Sequence, residues 1–289
     1  MITATLFSDA ACPWAYSASP ALRVLEWRYG EQLQWKLVTI GLTENADQYA
    51  RRGYTPLRQA QGSMSFRRYG MPFTVAPKAR LAGTARGCRA IVAARTLAPG
   101  SEWSVYRALQ LANFTGGLLL DDDEHLLAVI DTIPGLDAAA IGAAMDSDVV
   151  SAAYEADKAQ SRTAAGSPTD LQGKAGNSDG AVRYTAPSII FEFGGLRLEA
   201  GGFQLVEAYD VIIANLDPAL ERRPAPDGPA PLLQAFPGGL TTQEVAACLT
   251  QSNDPVDRPA AERALVELVA DGQATRTAVG DDALWRVAA

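Results

Sequence analysis

From Ile2 to Phe7 apolar and polar positions alternate, and the branched and aromatic side chains suit a pleated surface, so the pattern predicts a short strand. Ser8-Asp9-Ala10-Ala11 reads as a turn. A helical pattern then runs from Pro13 to about Arg28, with Tyr16, Leu22, Leu25 and Tyr29 available for one face. Proline at the first helical position loses nothing, because its missing N–H would be unpaired there anyway. Gly30 closes the helix, and Gln34 to Ile40 predicts a second strand. Strand, cysteine-containing turn, helix and strand make a βαβ unit within forty residues.

The segment from about 41 to 180 is mostly helical in pattern. Alanine-rich pieces near 81–98, 102–113, 122–132 and 137–164 carry apolar spacings of three and four. Residues 166–180, rich in glycine, predict a mobile loop. Strand character returns at Pro187 to Phe193. Gly194-Gly195 forms a two-residue hairpin turn, Leu196 to Ala200 is the partner strand, and Phe203 to Leu216 is an amphipathic helix. Pro224, Pro226, Pro229 and Pro231 predict a stiff linker over 222–234. It separates a first domain, 1–221, whose helical insertion spans about 41–183, from a module at 235–289. In that module Thr241 to Gln251 and Pro259 to Ala270 read as helices, the first with a capping box from Thr241 and Glu244. A hairpin turns at Gly280-Asp281. Helix, helix and hairpin suggest a small winged-helix-like α+β module.

The chain has 289 residues, 48% of them hydrophobic, and a net charge of −8. Such a chain can bury a core without disulfide staples. Its acidity argues against nucleic-acid and anionic-membrane partners, which need clustered Lys and Arg. In the C-terminal module four basic residues stand against eight acidic ones, so it is expected to serve as a protein-contact or homodimerisation element rather than enter a groove of DNA. No run reaches a membrane span, and the N-terminus has no secretory pattern. The chain is expected in the cytoplasm, where thiols stay reduced.

Three cysteines far apart, Cys12, Cys88 and Cys248, form no disulfide framework. The single His125 rules out a histidine-rich metal site, and no pair has zinc spacing, so no metal is expected. His125 follows Asp121-Asp122-Asp123-Glu124, acids that offset a helix dipole. One constellation carries chemistry: Cys12-Pro13-Trp14-Ala15. A cysteine just ahead of a helix faces unpaired N–H groups and the positive end of the dipole, which predicts a lowered pKa and a nucleophilic thiolate. Trp14 would offer a flat apolar surface beside the sulfur. The plain alternative is a small buried hydrophobe.

Asp9 to Tyr16, following a first strand, resembles the active-site motif of the DsbA-like branch of the thioredoxin superfamily. It is most similar to the FrnE-type members, with Cys-Pro-Trp-Cys after an aspartate. Tyr184-Thr185-Ala186-Pro187-Ser188 resembles the strand that this superfamily opens with a cis-proline, and the helical segment between matches the DsbA-type insertion. The resemblance covers about residues 1–218 and implies a thioredoxin-like α/β fold. It also implies Cys12 as nucleophile, Pro187 against the sulfur, and the backbone of Ala186 pairing with a bound thiol or peptide. Pro13, Trp14 and Thr185 complete the implied binding set.

Ala15 stands where the family has a resolving cysteine. Exchange releases a mixed disulfide by attack of another thiolate, which Ala15 cannot supply. An oxidoreductase resolved by an external small thiol such as glutathione is the leading expectation, acting on a small thiol or a disulfide-containing substrate, with no tightly bound cofactor. A second is a thiol-dependent isomerase or transferase, since 2-hydroxychromene-2-carboxylate isomerases and kappa-class glutathione transferases share this fold with a single Ser or Cys. Phe66, Tyr69 and Phe73 would then line an apolar pocket over Trp14. A third is a binding protein without catalysis. Cys88 and Cys248 read as core, and Arg80, Arg86 and Arg89 as a solvated helix face or a carboxylate-binding group.

Overall fold

A computed structural model describes residues 1–176, 180–251 and 254–288. The opening unit comprises β1 (Ile2–Ser8), α1 (Pro13–Ser17), α2 (Ser19–Tyr29) and β2 (Leu33–Thr39). The single helix expected over 13–28 is two helices. Pro20 has no N–H to offer the carbonyl of Tyr16, and the chain bends at Ala18. The insertion carries α3 (Ala46–Arg51), α4 (Pro56–Phe66), α5 (Ala85–Leu97), α6 (Glu102–Thr115), α7 (Asp123–Ile130), α8 (Ala138–Ala144), α9 (Asp148–Ser161) and α10 (Pro168–Leu171). The helix expected over 137–164 divides at Ser147, whose hydroxyl accepts from the N–H of Val150 and starts a new helix.

After a short hairpin, β3 (Ala175–Gly176) with β4 (Arg183–Tyr184), come β5 (Ser188–Phe193), β6 (Leu196–Ala200) and α11 (Val206–Leu216). Of the glycine-rich loop expected over 166–180, positions 177–179 lie outside the described residues. The main sheet has the order β2-β1-β5-β6, with β1 and β2 parallel and the other pairs antiparallel. Leu6 faces Leu37 on one side and Ile189 on the other. Gly194 and Gly195 both take positive φ, 58° and 83°, as a primed two-residue turn demands. The apolar face of this sheet meets α5, α6, α9 and α11 in the largest core, which buries Leu6, Leu25, Ile91, Leu109 and Tyr209. The strand order and the helices between β2 and β3 are those that the resemblance of the sequence implies.

The C-terminal elements are α12 (Pro229–Ala235), β7 (Leu240–Thr241), α13 (Thr242–Leu249), α14 (Arg258–Ala270), β8 (Ala274–Val279) and β9 (Asp282–Val287), with a sheet of order β7-β9-β8. The expected linker over 222–234 is different in kind. Its second half is helix α12, begun by Pro229 and held by buried Leu232 and Leu233. Its first half is strapped to α2: Arg223 donates its N–H to the carbonyl of Arg28 at 2.9 Å, and the Trp27 indole donates to Pro224 at 2.8 Å. Val24 and Trp27 of α2 share one core with Leu240, Val245 and Trp285. Composition reads proline as stiffness, whereas here burial of the neighbouring leucines decides. No helix among the described residues is long and apolar enough to cross a membrane.

Candidate functional site

The end of β1 delivers the site. Asp9 folds the turn upon itself: its Oδ1 accepts the N–H of Ala11 at 2.8 Å, an Asx-turn. Its Oδ2 accepts the N–H of Leu42 at 2.9 Å and the hydroxyl of Thr84 at 2.8 Å, tying β1, the segment after β2 and the start of α5 to one carboxylate. Cys12 is then the N-cap of α1 and Pro13 its first residue.

The strand that follows residue 187, β5, runs antiparallel beside β1, with Ser188 opposite Phe7. The Ala186–Pro187 peptide is cis. Cys12 Sγ donates to the Ala186 carbonyl oxygen at 3.0 Å. Thr185 is committed to the backbone, its hydroxyl donating to the carbonyl of Lys174 at 2.7 Å. Cys12 and Ala186, 174 positions apart, therefore meet at the ends of the two central strands, with Pro13 and Trp14 following the first and Thr185 and Pro187 flanking the second. Ala15 is buried in the same apolar cluster as Cys12, together with Phe7, Tyr184 and Ala186.

The expected lowering of the Cys12 thiol does not hold. Only 6% of the residue is exposed. Burial pushes its pKa up to about 11; the N–H groups of Ala15 and Trp14 pull it down, and the charge of Asp9 adds to the rise. The helix-start donors are present as expected, but loss of solvation outweighs them. Burial thus favours the neutral thiol over the thiolate in this arrangement.

Trp14 is 40% exposed and forms the outer surface of the site. Its ring meets Phe66 edge-on at 4.9 Å, Tyr69 at 5.6 Å and Phe203 at 5.7 Å between centroids. Phe66 and Tyr69 thus do stand at Trp14. Phe73 is buried one ring further in, packed with Tyr16 and Phe114 and 6.3 Å from the Phe66 ring between centroids. Phe203 was expected within a helix but lies ahead of α11, and nothing in its spacing marked it for this wall.

The other candidates serve the fold. All three cysteines are free. Cys88 lies in the main core with its Sγ 3.5 Å from Asp9 Oδ2, and Cys248 is buried in the C-terminal core. Arg80 pairs with Asp121 at 2.6 Å, Arg86 chelates Asp123 and Asp146, and Arg89 bonds Ser151 and covers the Tyr154 ring. His125 Nδ1 accepts the N–H of Leu119 while Asp122 caps α7. No cluster of metal-ligating side chains occurs among the described residues. Lys78 was missed by sequence reasoning: it reaches Asn113 and the Leu118 carbonyl beside a small cavity that Ala11 also lines, and burial lowers its pKa to about 8.

The chemistry open to this arrangement is that of one sulfur. It can donate a proton to a carbonyl or, once ionised, attack an electrophile or a disulfide.

Residues 3–186 match the family model described as a DSBA-like thioredoxin domain. No curated protein matches. Among solved structures, a Nitrosomonas europaea protein provisionally titled a protein disulfide isomerase has a TM-score of 0.57 at 17% identity, over 74% of this chain and 96% of that one. A Streptomyces coelicolor protein provisionally titled a DsbA oxidoreductase reaches 0.56 at 16%, over 76% and 91%. The cytosolic disulfide reductase DsbM of Pseudomonas aeruginosa reaches 0.53 at 18%, over 75% and 100%, and is also solved with GSH, at 0.52. At such identities the likeness speaks for the fold, while the family model spans well over half of the chain. The chain belongs to the DsbA-like thioredoxin-domain family.

Proposed function

We propose that this protein is a cytoplasmic DsbA-like thiol–disulfide oxidoreductase that works with one sulfur, Cys12, and takes its second sulfur from a small external thiol. The observation that carries the reading is the Cys12 thiol on the Ala186 carbonyl beside Pro187, with Ala15 at the place of a resolving cysteine. A structural neighbour solved with GSH adds support for a peptide thiol as the second partner.

The steps balance without a cofactor. The Cys12 proton leaves as the site opens, and the thiolate attacks one sulfur of a disulfide. That S–S bond breaks, and the departing thiolate takes up a proton. An external thiolate then attacks the substrate sulfur of the mixed disulfide and releases Cys12, which regains its proton. Each cycle exchanges one thiol for another, and reduction of a substrate consumes two external thiols.

The pKa of about 11 favours a second reading. In it Cys12 stays protonated, and its S–H turns from the Ala186 carbonyl to the sulfur of a bound small thiol, helping that thiol to ionise as in an isomerase or transferase. Glutathione disulfide separates the two. In the first reading the wild-type protein gains one glutathionyl adduct at Cys12 by mass spectrometry, and excess glutathione removes it. Absence of the adduct over a neutral to alkaline range, with retained binding of glutathione, overturns the first reading in favour of the second.

A further inference from the structure

Gly280-Asp281 turns β8 into β9, a task set by backbone conformation that needs no side chain from Asp281. Its carboxylate is committed instead to the segment that follows α4. Oδ1 accepts the backbone N–H of Phe73 at 2.8 Å, and Oδ2 accepts the side chain of Arg67 at 2.5 Å. Gly280 lies flat on the same segment: a Cβ there would meet the Phe73 carbonyl carbon at 3.1 Å. The start of α13 holds the stretch between. The Thr241 hydroxyl donates to the Met71 sulfur at 3.5 Å, and Gln243 covers Gly70, where a Cβ would meet its Oε1 at 2.2 Å. The first domain adds two holds of its own, the Tyr16 hydroxyl on the Pro72 carbonyl at 3.0 Å and the Thr74 N–H on the Phe114 carbonyl at 2.7 Å. Residues 66–73 therefore lie between the two parts of the chain, and this stretch carries Phe66 and Tyr69 to the Trp14 ring.

We propose that Asp281 is a positioning residue for the site. Through the Phe73 N–H it sets the segment that places Phe66 and Tyr69 on Trp14, so the C-terminal module serves the reaction of Cys12 as a clasp behind the aromatic wall. The service to the reaction rests on the reading of Cys12 as the reacting sulfur; the clasp itself does not. The two bonds of Asp281 differ in weight. Its pair with Arg67 lies at the surface, where an ion pair contributes little. The Phe73 N–H belongs to a residue whose ring is buried, and removing the carboxylate costs that N–H its bond. A small displacement of a wall beside the reacting atom is enough to weaken the positioning of a substrate. It leaves the sulfur's own surroundings in place, since those come from Phe7, Tyr184 and Ala186.

The test compares Asp281→Ala with Asp281→Asn in the full chain. Asn keeps an acceptor for the Phe73 N–H and drops the charge. The state of the wall is read from the fluorine resonance of Trp14 in protein labelled with 5-fluorotryptophan, assigned by its loss in Trp14→Phe. The reaction is read as glutathionylation of Cys12 by glutathione disulfide. Asp281→Ala is expected to shift the Trp14 resonance and to raise the half-saturating disulfide concentration about threefold or more, with the limiting rate within about twofold. Asp281→Asn returns both to the wild-type values. A folded Asp281→Ala protein with an unmoved Trp14 resonance overturns the proposal, as does an equal effect of Ala and Asn. A moved resonance with unchanged half-saturation overturns the service to the reaction. Should Asp281→Ala fail to fold, Gln243→Ala, which uncovers Gly70, carries the test with the same two readouts and the same expected shifts. A wild type that takes no glutathionyl adduct overturns the exchange mechanism instead, and the Trp14 resonance then decides the clasp alone.

Discussion

The sulfur of Cys12 lies 3.0 Å from the carbonyl oxygen of Ala186, a partner 174 positions along the chain. A thiol that donates to a buried carbonyl is held in its neutral form, since ionisation would leave two electron-rich atoms facing each other without water. Alkylation by a small neutral reagent should accordingly accelerate from pH 8 upward and follow an apparent pKa of about 11. Cys12→Ser should abolish the reaction in the native protein. A mid-point below 8 would show that the sulfur works from an open, solvated form instead.

Asp9 raises the Cys12 pKa through its charge while it holds the turn. Asp9→Asn keeps an acceptor for the Ala11 N–H and removes the charge, so the alkylation mid-point should move down from about 11. Asn also presents a donor where Leu42 and Thr84 both donate to Oδ2, which should destabilise the fold by about 1–3 kcal/mol in urea unfolding. An unchanged mid-point would mean that desolvation alone sets the value.

Ala15→Cys tests the place of the missing sulfur. The position is buried next to Cys12 in one apolar cluster, one turn into α1. Oxidation of the variant should close a bond to Cys12, read as the loss of two free thiols and a quenched glutathionyl adduct. Reduction by dithiothreitol should restore both. If the variant folds and both thiols stay free under oxidant, the approach of α1 to the sulfur is wrong.

Glu244 joins the two parts of the chain. Wholly buried, it accepts from Arg107 at 2.6 and 2.7 Å and from Ser19 at 2.5 Å, and its capping box starts α13. Burial would raise its pKa, but the charges of Arg107 and Arg23 and the bond from Ser19 hold it at about 2. A depressed folded value means that its stabilisation is complete above the unfolded carboxylate range, near pH 4.3, and is lost as pH falls toward about 2. Glu244→Gln should flatten that acid limb. Glu244→Ala should cost about 3–5 kcal/mol, because it strands a buried guanidinium.

Leu232 tests the sequence reading of 222–234 as a plain linker. It is fully buried in the core shared by α12, α13 and α2. Leu232→Ala should cost about 2–5 kcal/mol and loosen the C-terminal module first. Faster proteolysis after Arg222 or Arg223 would be its mark. A change within about 0.5 kcal/mol, as at ordinary surface sites, would return this stretch to a linker.

Local rules in the chain were enough for the βαβ opening, the Gly194-Gly195 hairpin, the Thr241–Glu244 cap and the position of Cys12 at a helix start. Each depends on contacts within a few residues, so periodicity, turn chemistry and capping expose them. Local pattern could not reach the state of the sulfur. The helix-start donors that argue for a thiolate are close in sequence, but the surfaces that remove its water come from Tyr184, Ala186 and Ile190 and from the far end of the insertion at Ala164. Proline content suggested a linker where packing of Leu232 and Leu233 made a helix, and Phe203 gave no sign that it would meet Trp14. Sequence by itself located most of the elements and set a cysteine at the start of the first helix. The tertiary structure alone decided how much water that atom sees, because desolvation is set by neighbours that the chain brings together only when it folds.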